Sequence, residues 1–435
     1  MKFTKLSLVA ALLAGSSVFA IDNIKVSGDA NVFYSTTDAK AGFAAVTDKD
    51  DLFGKDNSAA DIGLNFNISA DLAKNDIVTL SAGAGYTILT TLGLENNFVS
   101  NVWGSAHTAT VNSGSNYASA IGGAKVENAS WMNELWVAAT VGNTTAKLGR
   151  MALDTPIAFT ETWTIEKNTF EAAVLINQDI PNTTLVGAYV GNSNGTNAGS
   201  INFSETTILG DSAGLAVGGV VNANGEFATL GKSGAYAIAA INNSFKPLTA
   251  QAWYYNLPNY AKAYWLQADL ACEKVPGLML GAQYTSGKVG EGDNSGTYAV
   301  MAGYEMKDVA TVKVAYSQTS DKGALHGQNI VGSGQSKLYT EAWWNYGYVT
   351  ATDTTAYNVT VEGAAAGADL GLYYTYADQD KGAGPSDMTE VTLTAGKSFG
   401  PLDATLAYVY TDLGKTGGVD ADATNTVQAY LTVNF

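Results

Sequence analysis

A strict alternation of apolar and polar side chains recurs along this chain. Residues 61–72 show it most clearly, with Ile62, Leu64, Phe66, Ile68, Ala70 and Leu72 on one face and Asn65, Asn67, Ser69 and Asp71 on the other. The segments 24–34, 401–411 and 425–435 repeat the pattern. Because successive side chains of a β-strand point to opposite faces, the pattern predicts strands with one apolar and one polar face.

The composition indicates what covers the apolar faces. Charged residues make up 14 % of the chain, whereas soluble domains average ~25 %. After residue 20, no stretch approaches the ~18 apolar residues that a membrane-spanning helix needs. A membrane protein without such helices satisfies its backbone hydrogen bonds in a closed barrel, with an apolar exterior and a polar, wet interior. The alternative is a soluble β protein that packs its apolar faces against one another.

The N-terminus predicts export. Lys2 and Lys5 precede an apolar run at 6–14, and the small residue Ala20 suits a cleavage position. This order is typical of a secretory signal peptide. We therefore expect a signal peptide at 1–20, cleaved after Ala20, and one barrel domain at 21–435.

The connections between the predicted strands alternate between long and short, as in barrels with long external loops and short periplasmic turns. Folding the ambiguous run 214–222 into a loop leaves eighteen strands, with sixteen as the second choice, because single-chain bacterial barrels have even strand numbers. The strands are predicted at about 24–34, 61–72, 77–87, 131–141, 144–150, 169–178, 183–190, 235–242, 247–256, 261–272, 278–286, 297–305, 310–319, 355–364, 368–377, 388–398, 401–411 and 425–435. The third long connection then falls at 151–168.

Aromatic residues cluster within several predicted strands. The clusters are Trp253-Tyr254-Tyr255, Tyr264-Trp265, Trp343-Trp344 and Tyr373-Tyr374. We expect their outward-facing members to contribute to an aromatic girdle at the membrane interface.

Three motifs resemble a known family. They are the stretch 148–156 (LGRMALDTP), the stretch 168–171 (NTFE) and the stretch 180–185 (IPNTTL). Together with residues 250–286 and the terminal Phe435, they resemble the OprD-like outer membrane porins, and most closely the major outer membrane porins of epsilonproteobacteria. The resemblance implies an eighteen-stranded barrel whose long third loop folds into the pore.

One feature departs from that family. OprD-type channels guide carboxylates along a ladder of arginines, whereas Arg150 is the only arginine in this sequence. Lysines supply point charges without the planar, bidentate fork of arginine. Carboxylate specificity is therefore not expected to carry over.

The predicted pore constriction lies in and beside the third long connection. A narrow pore selects solutes by its diameter and by the charges that line it. Acidic and basic groups on opposite sides would create a transverse field across the opening. The residues predicted to form this constriction are Asp154, Glu161, Glu166, Lys147, Arg150 and Lys167.

A divalent-cation site is a second candidate. Asp48, Asp50, Asp51 and Asp56 cluster in the first long loop, and carboxylate oxygens are ligands that Ca²⁺ prefers. Leu52 occupies the third ligand position of an EF-hand spacing, so the cluster departs from that motif. A solvated acidic loop is the alternative reading, and no cofactor other than this Ca²⁺ candidate is expected.

Charge and residue inventory narrow the function classes. The chain carries a formal net charge of −17, which argues against a nucleic-acid partner and favours cations near the mouths of the barrel. With only two histidines and one cysteine, activated-nucleophile and His/Cys zinc chemistry find no support. The sequence therefore does not predict an enzyme.

The predicted function is a porin of the Gram-negative outer membrane. It would form a water-filled channel for passive diffusion of small hydrophilic solutes and ions, with a preference for cations. A substrate-selective OprD-like channel is one alternative, and a surface structural or adhesive barrel is another. The expected partners are outer-membrane lipid and lipopolysaccharide, the barrel-assembly machinery through the last strand ending at Phe435, and further copies of the chain in a homotrimer.

Overall fold

The structure is a computed structural model. It describes residues 21–38, 51–54, 57–90, 101–102, 111–112, 129–162, 165–195, 225, 227–230, 233–331, 334–380, 386–416 and 419–435. The predicted signal peptide at 1–20 and the run 214–222 lie outside these residues. In the part of the chain that the structure describes, no helix is long and apolar enough to cross a membrane.

Eighteen strands of eight or more residues lie within the described ranges and form one antiparallel wall. They are β1 (Asp22–Thr37), β2 (Ser58–Lys74), β3 (Val78–Thr90), β4 (Ala129–Val141), β5 (Thr144–Met151), β6 (Phe170–Asn177), β7 (Thr183–Ser193), β8 (Ala235–Asn242), β9 (Leu248–Leu257), β10 (Ala261–Ala271), β11 (Leu278–Val289), β12 (Asn294–Met306), β13 (Ala310–Thr319), β14 (Thr354–Ala365), β15 (Ala368–Gln379), β16 (Asp387–Phe399), β17 (Leu402–Asp412) and β18 (Thr424–Asn434). Each strand pairs with the next, and β18 pairs with β1. This closure confirms the predicted eighteen-stranded barrel.

The first and last strands meet closely at the closing seam. The backbone N–H of Gly28 donates to the carbonyl oxygen of Phe435 (2.8 Å), and the N–H of Phe435 donates to the oxygen of Gly28 (3.0 Å). A Cβ atom at position 28 would collide with the ring of Phe435 and with the carbonyl oxygen of Asn65. Position 28 therefore requires glycine, and the terminal ring covers the gap that the glycine leaves.

The outer face of the barrel is apolar and carries a row of tyrosines. Leu148 is 54 % exposed and Val314 is 49 % exposed. Ring contacts join tyrosines of neighbouring strands, with centroid distances of 5.2 Å for Tyr189–Tyr236, 5.0 Å for Tyr254–Tyr264 and 5.3 Å for Tyr316–Tyr357. These outward-facing tyrosines agree with an aromatic girdle, which stays a prediction.

Two connecting segments fold into the barrel interior. The first, 152–169, joins β5 to β6 and is the predicted third long loop. Its Ile165 contacts the wall at β1 and β2, where the side-chain amides of Asn31 and Asn65 donate to the Ile165 carbonyl oxygen (3.4 and 3.3 Å). The second, 320–353, joins β13 to β14 and places Trp343 and Trp344 against Glu390 of β16. The strand pattern placed the first segment in the chain and the family resemblance implied its inward position, whereas neither indicated the second.

Candidate pore constriction

The first inward segment is a chain of two tight turns. A bridge pairs Asp154 with Phe159, and another pairs Thr162 with Lys167. The side chain of Asn168 closes the second turn, because its Oδ1 accepts a hydrogen bond from the backbone N–H of Glu161 (2.7 Å). These local bonds satisfy the polar backbone in a segment that crosses the lumen instead of running over the surface.

The two inward segments contact each other directly. The side-chain amide of Asn329 donates to the Phe159 carbonyl oxygen (2.8 Å) and to Oε1 of Glu161 (2.9 Å). An ion pair joins Lys337 to Asp154, and the Lys337 ammonium lies 5.0 Å from the centroid of the Phe159 ring. The candidate constriction therefore includes residues of both segments.

Two carboxylates hold the second segment in place. Glu390 accepts hydrogen bonds from the backbone N–H groups of Trp343 (2.9 Å), Trp344 (3.1 Å) and Asn345 (2.7 Å). Glu390 is fully buried on the lumenal face of β16. Because hydrogen bonds to an ionised acceptor are stronger than neutral ones, this residue fixes one end of the segment to the wall.

Glu341 holds backbone N–H groups in place within the second segment itself. Its carboxylate accepts backbone N–H bonds from Ser336 (2.6 Å), Ala342 (3.1 Å) and Gly347 (3.3 Å). Burial raises the pKa of Glu341 to about 7, although these hydrogen bonds act in the opposite direction. This carboxyl group therefore changes its charge near neutral pH.

The structure brings most of the predicted constriction residues together. Lys167 forms an ion pair with Glu134 of β4 (2.8 Å), and the Lys147 ammonium lies 4.1 Å from the centroid of the Trp136 ring on the same wall. Glu161 and Glu166 are buried within the inward segment, at 2 % and 1 % exposure. Asp154 lies on the side of the segment that faces Lys337. Acidic and basic groups are therefore paired here: Lys167 of the segment with Glu134 of the wall, and Lys337 of the second segment with Asp154 of the first.

Arg150 does not join this group, and its predicted position is corrected. It lies on the outer face of β5, where its Nε donates to Glu171 (2.8 Å) and its guanidinium stacks on the Phe227 ring at 4.2 Å. Its neighbour Met151 is buried in the interior. Because side chains of a strand alternate, Lys147 and Arg150 cannot share a face when three positions separate them.

The candidate metal ligands are only partly described. Asp48, Asp50 and Asp56 lie outside the described residues, and Asp51 is exposed. Across the described ranges, no three or more His, Cys, Asp or Glu side chains group in a way that could hold a metal ion. The Ca²⁺ site in the first loop stays a prediction.

Sequence reasoning missed four residues of the constriction, namely Glu134, Asn329, Lys337 and Glu390. Glu134 and Glu390 each lie on the polar face of an alternating strand, which was a usable signal for a lumenal side chain. Asn329 and Lys337 lie in a loop without periodicity, and only the folded chain brings them to the first segment.

We compared the chain with known protein families, curated sequences and solved structures. A scan against models of protein families finds no match, and a sequence search of curated proteins finds none either. Solved structures do match. OccAB1 of Acinetobacter baumannii has a TM-score of 0.68 at 15 % identity, with 96 % of this chain and 98 % of that chain covered. OccK9 (OpdG) of Pseudomonas aeruginosa has a TM-score of 0.67 at 12 % identity, with 95 % and 99 % covered.

This chain has the OprD/Occ barrel fold. OccK8 (OprE) of Pseudomonas aeruginosa, at 13 % identity and a TM-score of 0.65, covers 95 % of this chain and 98 % of its own. The OprD/Occ likeness therefore spans the whole barrel, and identities this low speak for the fold alone. The particular resemblance to epsilonproteobacterial porins stays a prediction.

Proposed function

We propose that the protein is a porin of the Gram-negative outer membrane, through which small hydrophilic solutes and ions diffuse passively. The observation that carries this proposal is the pair of inward segments, which narrow a polar lumen inside an apolar cylinder. A barrel that only anchored surface loops would gain nothing from charged side chains arranged across its interior. The charged groups at the constriction are instead the features that select solutes in a pore.

The outer face supports the placement in the outer membrane. Its exposed leucines and valines match hydrocarbon, and its tyrosines match the lipid headgroup region. Lipid and lipopolysaccharide are accordingly the proposed neighbours of this surface. We also propose that the barrel-assembly machinery recognises the last strand, which ends at Phe435. A homotrimer is a further part of the proposal.

A preference for cations follows from the charges of the described interior. The wall strands carry carboxylates on their lumenal face at Asp29, Glu134, Asp269, Glu305, Glu362, Asp369, Glu390 and Asp403. The inward segments add Asp154, Glu161, Glu166, Asp321, Glu341 and Asp353, whereas the cations on the lumenal face and in these segments include Lys25, Lys147, Lys167, Lys313, Lys322 and Lys337. An excess of negative charge raises the local concentration of cations and lowers that of anions.

Planar-bilayer recording of the refolded protein tests the proposal. Under a KCl gradient, a cation-preferring pore gives a reversal potential of the sign set by K⁺, and the current rises linearly with voltage. Two matched variants distinguish the effect of a lumenal charge from that of a surface charge on the reversal potential. They are Glu166→Gln in the inward segment and Glu273→Gln in a short turn. Absence of current, together with liposome swelling no faster than in empty vesicles, would instead support a plugged structural or adhesive barrel.

A substrate-selective channel is the second candidate, because two inward segments narrow this lumen, whereas the sequence predicted one. OpdK of Pseudomonas aeruginosa, a barrel of the same fold at 12 % identity, has been solved with vanillate. Low conductance that one solute class blocks at low concentration would favour this candidate. Linear currents that no such solute blocks would favour the general porin.

A further inference from the structure

Two aromatic side chains, Tyr373 and Trp343, lie beside a carboxylate on the lumenal wall, away from the constriction residues predicted from sequence. We call this pair the aromatic step. Tyr373 of β15 and Trp343 of the second inward segment have ring centroids 6.2 Å apart, at an interplanar angle of 35°. The Tyr373 hydroxyl donates to Oε1 of Glu362 on β14 (2.9 Å). Both rings are partly exposed. Trp343 also packs against Trp344, with ring centroids 6.4 Å apart, so the parts of Tyr373 and Trp343 that stay exposed lie next to a negative charge.

A cavity of 710 Å³ lies beside Tyr373, on the side of the short turns. Tyr373 and four lumenal carboxylates, Glu305, Glu362, Asp369 and Asp403, are among the residues that line it. Lys313 approaches Glu362 at 3.7 Å, with both side chains more than a third exposed. Asp308 and Lys397 also line the cavity, so its carboxylates outnumber the nearby lysines and the cavity has an excess of negative charge.

We propose that this step binds organic cations as they leave the constriction, in particular ammonium groups attached to a ring or a short alkyl chain. Ring faces attract cations through their quadrupole, and weakly hydrated organic ammonium groups use such faces well. Small inorganic cations prefer oxygen ligands and stay hydrated, so the rings add little for them. Anions meet the carboxylates first and are repelled. The inference rests on the proposed channel function and names a solute class for it.

Block of the KCl current by benzyltrimethylammonium, added from the side of the short turns, tests this proposal. Benzenesulfonate carries a similar ring with the opposite charge and is the matched probe. Trp343→Leu removes one ring face, and Glu362→Gln removes the charge with almost no change of shape. Each variant is expected to raise the half-blocking concentration about fivefold. Tyr374→Leu, on the outer face of the same strand, is the control variant and should leave the block unchanged.

Two results overturn the proposal. One is equal block by benzenesulfonate and benzyltrimethylammonium, and the other is unchanged block in both lumenal variants. Saturation-transfer NMR on the detergent-solubilised protein detects the benzyltrimethylammonium probe without any current. A wild-type protein that conducts but neither binds nor is blocked by the probe contradicts this inference alone, whereas a protein without current contradicts the channel function.

Discussion

At the scale of single residues, the ion pair between Lys337 and Asp154 sets the charge where the two inward segments meet. Lys337→Met keeps the length of the side chain and removes its charge, which leaves Asp154 without this cation. We expect the ratio of K⁺ to Cl⁻ permeability to rise about twofold, because the lumen becomes more negative at a narrow point. The reversal potential under a salt gradient measures the ratio. Lys262→Met, on the outer face of β10, should leave it unchanged, and an equal effect of both variants would contradict the assignment.

Some single-residue features of the candidate site could be predicted from the sequence, and others could not. The separation of Lys147 from Arg150 follows from strand alternation alone, since an odd spacing places two side chains on opposite faces. The pairing of Lys337 with Asp154 spans 183 positions and depends on the course of two loops. Loops carry no periodicity, so no pattern in the sequence indicates which of their residues meet.

At the scale of elements, the second inward segment depends on Glu390. In Glu390→Gln, the acceptor loses its charge, and one oxygen is replaced by an NH₂ group that faces backbone donors. We expect hydrogen exchange at the amides of Trp343, Trp344 and Asn345 to accelerate about tenfold or more, because charge-assisted bonds are lost. Mass-spectrometric exchange measures this. Glu305→Gln on β12 is the control, and unchanged exchange at 343–345 in Glu390→Gln would show that the segment is held by other contacts.

Glu341 gives the same element a dependence on pH. Its pKa is raised from 4.5 to about 7, mainly by burial. The folded protein therefore holds a proton that the unfolded chain releases, so the contribution of this group to stability falls as pH rises from about 4.5 to about 7. Below pH ~7 the carboxyl is neutral and the lumen loses one negative charge, so cation preference should decrease on acidification. Reversal potentials between about pH 8.5 and about pH 5 measure this step, which Glu341→Gln should abolish. A step that persists in this variant belongs to another group.

At the scale of the whole molecule, the alternation of apolar and polar side chains predicted the strands of the barrel wall but not the loops that fold inside it. Every described strand of the barrel lies where period-two patterning predicted it, because hydrocarbon outside and water inside impose that pattern on each strand. The inward course of 320–353 was missed, since a loop that packs inside a lumen has no alternation of apolar and polar side chains to mark it. Its direction depends on partners such as Glu390, which lies 47 positions from Trp343 in the sequence.

Closure itself rests on the seam between β1 and β18, where Gly28 lies beneath the ring of Phe435. Gly28→Val adds a side chain at a position where a Cβ already collides with that ring and with the Asn65 carbonyl oxygen. We expect the strands to separate locally, at a cost of ~1–3 kcal/mol or more, and the yield of folded barrel to fall. The heat-modifiable shift on a gel measures that yield.

Gly187→Val on β7 is the matched control, because nothing lies within 4 Å of a Cβ built there. The same branched side chain then meets open space in the middle of a strand, where β-branched residues are well tolerated. Comparable losses of folded protein in both variants would mean that valine harms any strand of this wall. A loss confined to Gly28→Val would show that a close approach at one seam decides whether eighteen strands become a closed cylinder, which the lumen and its constriction both require.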